Sequence, residues 1–243
     1  MKRFHKSAGT EVAEGGHAVL LDGRLIRTPA RKPLVVPSLT LAEAIAAEWD
    51  AQGEEIDRRA MPLMRMAGTA IDDLAGMREQ TADAVARYAE TDMVCFWAGE
   101  PQKLVERQQA TWRPLLDWLE QEFAASLAVT SDIHAQQQPE ESLRILHTTV
   151  HGLDNFRLVP LSVATGTAGS LVIGLALVMG RINAEQAFDA AQLDETFQIE
   201  EWGEDDEATR RRAGVRDEFD AVERFCRALA DAGPSGAGAA GTS

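Results

Sequence analysis

The segment HTTVH places His147 and His151 four residues apart. On a helix that spacing puts two imidazoles on one face, as the ligands of a hydrolytic metal site require. The glutamate base that would follow the first histidine is absent, because Thr148 stands there, and no spacing marks a third ligand. The competing reading is two polar residues beside a Leu146/Val150 stripe. Cys95 and Cys226 fall beside or within apolar stripes, where a thiol is packing material rather than a nucleophile. The sequence has no GxSxG elbow and no phosphate-binding glycine loop, so a nucleophile–base pair has no motif behind it.

A third feature is LDETFQIEEWGEDDEATRRR, residues 193–212. Read as the continuation of a helix capped by Asn183, it sets Phe188, Ala191, Glu195, Ile199 and Trp202 in one stripe with Glu195 in the middle. An unpaired carboxylate buried there would cost several kcal/mol or shift its pKa upward. Glu195 must therefore pair with a base on another helix, await a partner's cation on an exposed face, or be relieved by a bend near Asp194. The plainer reading is a solvated acidic helix in which Glu207 pairs with Arg210 and Arg211. Trp49, in EWDAQ, reads as core on a Leu41/Ile45 stripe, although a buried indole N–H needs an acceptor.

These groups belong to a chain of 243 residues with a net charge of −15 and 45% hydrophobic residues. That length suits one large or two small domains. The acidity argues against nucleic acid and against an anionic membrane surface as partners. The longest apolar run, Leu171 to Met179, falls far short of the ~20 residues that span a bilayer. No apolar stretch follows the basic start MKRFHKSAGT, and no Arg/Ser-rich transit lead precedes the first elements. With two cysteines and no disulfide framework, the expectation is a cytoplasmic protein, by default a monomer.

The elements fall into two kinds. HAVLLDGRLIRTP reads as a β-hairpin turning at Asp22-Gly23, with KPLVVP as a third short strand and KRFHK as a possible fourth. Helical periodicity then takes over. SLTLAEAIAAEWDAQ has Ser38 or Thr40 as N-cap. In PLMRMAGTAIDDL, Leu63, Met66, Ala67, Ala70, Ile71 and Leu74 follow the helical i, i+3, i+4, i+7 rule, and EQTADAVARYAETDM forms a further helix. Beyond residue 95 every element reads as helix. Pro101 opens one that Pro114 should kink or split, and Pro139 opens another. LVIGLALVMG is apolar all round and belongs at the centre of a bundle. The last helix carries Val215, Phe219, Val222, Cys226 and Leu229. The expected fold is α+β: a small mixed domain over residues 1–92 with a β-hairpin, an all-α orthogonal bundle over 93–232, and a disordered Gly/Ala/Ser-rich tail over 233–243.

The order LDGRLIRTP, AEWDAQ, MPLMRMAGTAID and QIEEWGE, spread over residues 3–230, resembles the ATP12 family of assembly chaperones for the F1 sector of ATP synthase. The resemblance implies a non-enzyme without cofactor or metal. It implies binding of the unassembled F1 α subunit, shielding its β-facing surface without ATP hydrolysis. Carried over position by position, it implies client-binding roles for Trp49, Glu185, Glu195, Glu201, Trp202 and Gly203. The chain departs from the mitochondrial pattern after Gly203, where EDDEATRRR contains no histidine. The alternative function is a metal-dependent enzyme using His147 and His151.

Overall fold

Asp22 and Gly23 both take positive φ, 50° and 74°, as a two-residue type I′ hairpin turn requires. In the computed structural model, which describes residues 1–72, 74–132, 136–203 and 205–230 apart from the side chains of residues 74 and 75, this turn joins β2 (Gly16–Leu21) to β3 (Arg24–Leu25). β2 is the centre of a four-stranded antiparallel sheet. One edge pairs along its length with β1 (Ala8–Ala13), Ala8 opposite Leu21 and Ala13 opposite Gly16. The other edge is shared end to end by β3 and β4 (Val35–Val36). The expected strand in KRFHK is reduced to a single bridge from Lys2 to Glu55.

Two compact units emerge, Met1–Asp72 with residues 224–230, and Asp73–Glu223. In the first, the sheet packs on α1 (Leu39–Asp50) and α2 (Pro62–Asp72) joins α1. Ser38 is the N-cap of α1: its hydroxyl accepts from Leu41 N and donates to the Ala228 carbonyl at 2.5 Å. A cap of this kind is worth about 1 kcal/mol. Leu63, Met66, Ala67 and Ala70 are buried on the periodic face of α2. Leu74, the last member of that stripe, and the tail over 233–243 lie outside the described side chains and residues.

The second unit is helical: α3 (Leu74–Ala86), α4 (Gln102–Phe123), α5 (Glu140–Gly152), α6 (Asn155–Ala168), α7 (Leu171–Val178), α8 (Ala184–Ala191), α9 (Leu193–Trp202) and α10 (Asp206–Ala230), whose last turns count with the first unit. α3 packs on α5 and α6. Pro114 does not split α4, which runs unbroken. Every residue of α7 from Leu171 to Leu177 is buried, as its lack of a polar face demands. α6 crosses it so closely that a Cβ on Gly174 would run into Thr165 and Leu161, which explains the small residues of ATGTAGS. Ser170 caps α7, and the fully buried Asp92 accepts from Val172 N at 3.1 Å and Val94 N at 3.2 Å. Burial pushes the Asp92 carboxyl up to about 6, against the pull of the Ser170 hydroxyl and the neighbouring backbone N–H groups.

Candidate functional site

The expected continuous helix from Asn183 to Trp202 is two helices. Gln192, at φ −108° and ψ 16°, separates α8 from α9, so Phe188 and Ala191 do not share one unbroken stripe with Glu195, Ile199 and Trp202. The break is held from α10. Arg211 bonds the Glu195 carboxylate, Arg212 donates to Thr196 Oγ1 at 2.9 Å, and the guanidiniums of Arg212 and Arg216 lie 5.0 and 4.1 Å over the Phe188 ring. Glu195 is thus a paired carboxylate, and Arg211 and Arg212 of RRR hold α9. α8 begins on a capping box between Asn183 and Gln186, reinforced by Glu223, which accepts from Ala184 N at 2.7 Å.

α9 is fixed on its other side by α4. Buried Gln108 donates to Asp194 Oδ1 at 2.7 Å, and its own Oε1 accepts from Ala98 N. Desolvation raises the Asp194 pKa against that hydrogen bond. Arg107 pairs with Glu200 at 2.6 Å and lies 5.4 Å over Phe197. The pair lowers the Glu200 pKa and raises that of Arg107. Leu193 and Phe197 are the buried residues of α9.

What these contacts leave outside is the end of α9. Trp202 is 80% exposed, the most exposed large hydrophobic side chain among the described residues. Glu201 and Glu185 are exposed, and neither makes a hydrogen bond or ion pair among the described residues. Glu185 sits in the first turn of α8, where the helix dipole favours a carboxylate. Gly203 ends α9 with φ 88°, a conformation strained for any side chain, and its N–H donates to the Ile199 carbonyl at 2.8 Å. Glu195, Glu201, Trp202 and Gly203 therefore share α9 and its cap, and Glu185 stands on α8.

Trp49 lies in the first unit and is 9% exposed. It packs edge-on against Phe4 and His5, with ring centroids 6.2 and 5.4 Å away, and its indole N–H has no acceptor among the described residues. The residues around it are ties within that unit. Glu48 accepts from Leu63 N at 2.9 Å and Met64 N at 2.8 Å, capping α2; desolvation raises its pKa. Asp50 accepts from Ala8 N, and Gln52 from Asp57 N. Asp22 of LDGR accepts from Lys6 N and Ser7 N, while Thr28 donates to Asp72 of TAID at 2.5 Å.

His147 and His151 do share a face of α5, their rings stacked 4.0 Å apart. The structure adds Asp83 of α3, whose Oδ1 is 3.2 Å from His147 Nε2 and 2.9 Å from His151 Nε2. These histidines hold the exposed Asp83 carboxyl below its usual range, His151 first. Asp83 lies 64 residues before His147, so no local spacing announces it. The Cys95 thiol, buried and near Asp92, is pushed up to about 12 and is inert. No described helix is long and apolar enough to cross a membrane.

The family profile described as ATP12 chaperone protein matches residues 2–120. The crystal structure of Atp12 from Paracoccus denitrificans superposes with a TM-score of 0.89 at 40% identity, over 94% of this chain and 98% of that one. The mitochondrial protein atp12 of Schizosaccharomyces pombe is 25% identical over 214 residues, 83% of this chain and 74% of its own. Mitochondrial ATP12 of Saccharomyces cerevisiae is 22% identical over 242 residues, 82% of this chain and 74% of its own. The small sheet followed by a helical bundle is the fold of a chaperone class. The chain belongs to the ATP12 chaperone family.

Proposed function

We propose that this protein assists assembly of the F1 sector of ATP synthase by binding the unassembled α subunit and covering its β-facing surface, without hydrolysing ATP. The observation that carries the reading is Trp202, an indole left 80% exposed at the end of a helix pinned on two sides. Folding gains nothing from that exposure, whereas tryptophan is the residue most often found as an energetic anchor at protein interfaces. The other segments that carry the family resemblance are engaged in folding: side chains of LDGR, RTP, EWDAQ and TAID hydrogen-bond across the first unit. QIEEWG instead leaves Trp202, the most exposed large apolar side chain among the described residues, in solvent beside the exposed Glu201.

On this reading Trp202 is the anchor, and Glu201 and Glu185 supply charge that selects a basic rim on the client. Glu195 and Gly203 set the direction and end of α9. In the first unit, Trp49 supports Phe4, which is 63% exposed. A free subunit that exposes its interface aggregates, and a net charge of −15 keeps a covered complex soluble. Reversible covering suffices if the β subunit binds more tightly. The protein would do this as a monomer in a bacterial cytoplasm. The test is dilution of denatured F1 α subunit into buffer with or without the protein, followed by light scattering. Suppression near equimolar ratio, released by β subunit, supports the reading. Scattering equal to that with an unrelated acidic protein removes it.

A further inference from the structure

We propose that Asp83, His147 and His151 bind a divalent transition-metal ion of the zinc class, tying α3 to α5. The ligand atoms of the three residues all lie within 4.8 Å of one another. Zinc bonds to imidazole nitrogen and carboxylate oxygen are about 2.0–2.2 Å long, which sets tetrahedral neighbours about 3.3 Å apart. Asp83 Oδ1 already stands 3.2 and 2.9 Å from the two Nε2 atoms. The rings, stacked 4.0 Å apart on successive turns, need only a small side-chain adjustment to converge. Two imidazoles and one carboxylate favour zinc, nickel or copper over magnesium or calcium.

A fourth group completes the argument. Glu79, one turn before Asp83 on α3, has Oε2 3.2 Å from His151 Nδ1. A carboxylate behind a ligating histidine is the usual outer partner: it accepts a hydrogen bond from Nδ1–H and leaves the Nε2 lone pair for the metal. In that tautomer His151 Nε2 and Asp83 Oδ1 are two acceptors 2.9 Å apart. The opposite tautomer sets two acceptors face to face at Glu79 instead. A neutral His151 offers one ring N–H to the two carboxylates that face it, an arrangement that a metal ion at Nε2 completes. Three protein ligands leave one tetrahedral position for water. A groove of about 520 Å³ lined by Ala86, Glu90, Leu143 and Arg144 adjoins Asp83 and His147 and gives room for it. Thr148 stands where the glutamate base of an HExxH motif would, and the proposal is of ion binding, separate from the proposed client-binding residues.

The experiment uses the full chain without a histidine tag, stripped with chelator and titrated with Zn²⁺ by calorimetry, with Co²⁺ as an absorbing probe. The expected result is one ion per chain, a tetrahedral cobalt spectrum, a melting temperature that rises with zinc concentration, and no response to Mg²⁺. His147→Ala, at a half-exposed position, should fold as the stripped parent does and lose the ion, as should Asp83→Asn. Glu79→Gln should weaken binding about tenfold. Absence of stoichiometric zinc binding, or binding that His147→Ala and Asp83→Asn leave intact, overturns the proposal.

Discussion

Asp92 is the clearest place to test how this fold is held. Its carboxylate is fully buried, joins the segment before α4 to the N-terminus of α7, and is raised by burial from 3.8 to about 6. At about 1.4 kcal/mol per pKa unit, that rise is worth about 3 kcal/mol. The sign follows from linkage. A group with a raised folded pKa binds its proton more tightly when folded, so its stabilising effect is complete below about 3.8 and is lost as pH rises through about 6. Urea unfolding of the parent and of Asp92→Asn should be followed from pH 7.5 to pH 4. Comparing the two at each pH cancels the other carboxylates. The parent should gain about 3 kcal/mol relative to the variant on acidification, most of it between pH 6 and pH 4. A flat difference would mean that burial is not costing the carboxylate. A parent that loses ground on acidification would mean that its hydrogen-bond donors outweigh burial, and would refute the reasoning.

Other expectations concern the residues that family resemblance singled out. Glu48→Ala removes the acceptor for two N–H groups at the start of α2 and should cost about 1–3 kcal/mol by denaturant unfolding. Trp49→Ala should cost about 3–5 kcal/mol. Trp49→Phe should cost far less, because it also removes an indole N–H that has no acceptor among the described residues. Glu185→Lys should leave stability within about 1 kcal/mol, the scale of the helix-dipole effect, while weakening association with the client in a salt-dependent way. Glu195→Lys should do both kinds of damage, since it sets a cation against Arg211.

The sequence was most readable where one local rule decides. Asp22-Gly23 forced the hairpin, the all-apolar Leu171 to Met179 run had to be central, and Asn183 was the cap of α8. It was least readable where distant side chains decide. β1 lacks a marked alternation, and its register is set by pairing with β2. The break at Gln192 carries no glycine or proline, and Arg211, Arg212 and Arg216 hold the two helices around it from α10. Trp49, Glu185, Glu195, Glu201, Trp202 and Gly203 were singled out by family resemblance, not by any pattern of their own. Whether each was exposed could not be read from the sequence, because Trp49 and Trp202 sit in similar polar surroundings, EWDAQ and EEWGE, and only tertiary packing buries one and leaves the other out. The pairing of Asp83 with the two histidines lies across two helices and has no signature in one dimension.

The most direct test of the central claim is the association of isolated F1 α subunit with this protein and with Trp202→Ala, by sedimentation at equal concentrations. The account predicts a one-to-one complex for the parent. It predicts a loss of at least about 2 kcal/mol of binding energy in the variant, with its unfolding midpoint unchanged. Equal binding by both proteins, or no complex with either, would contradict it.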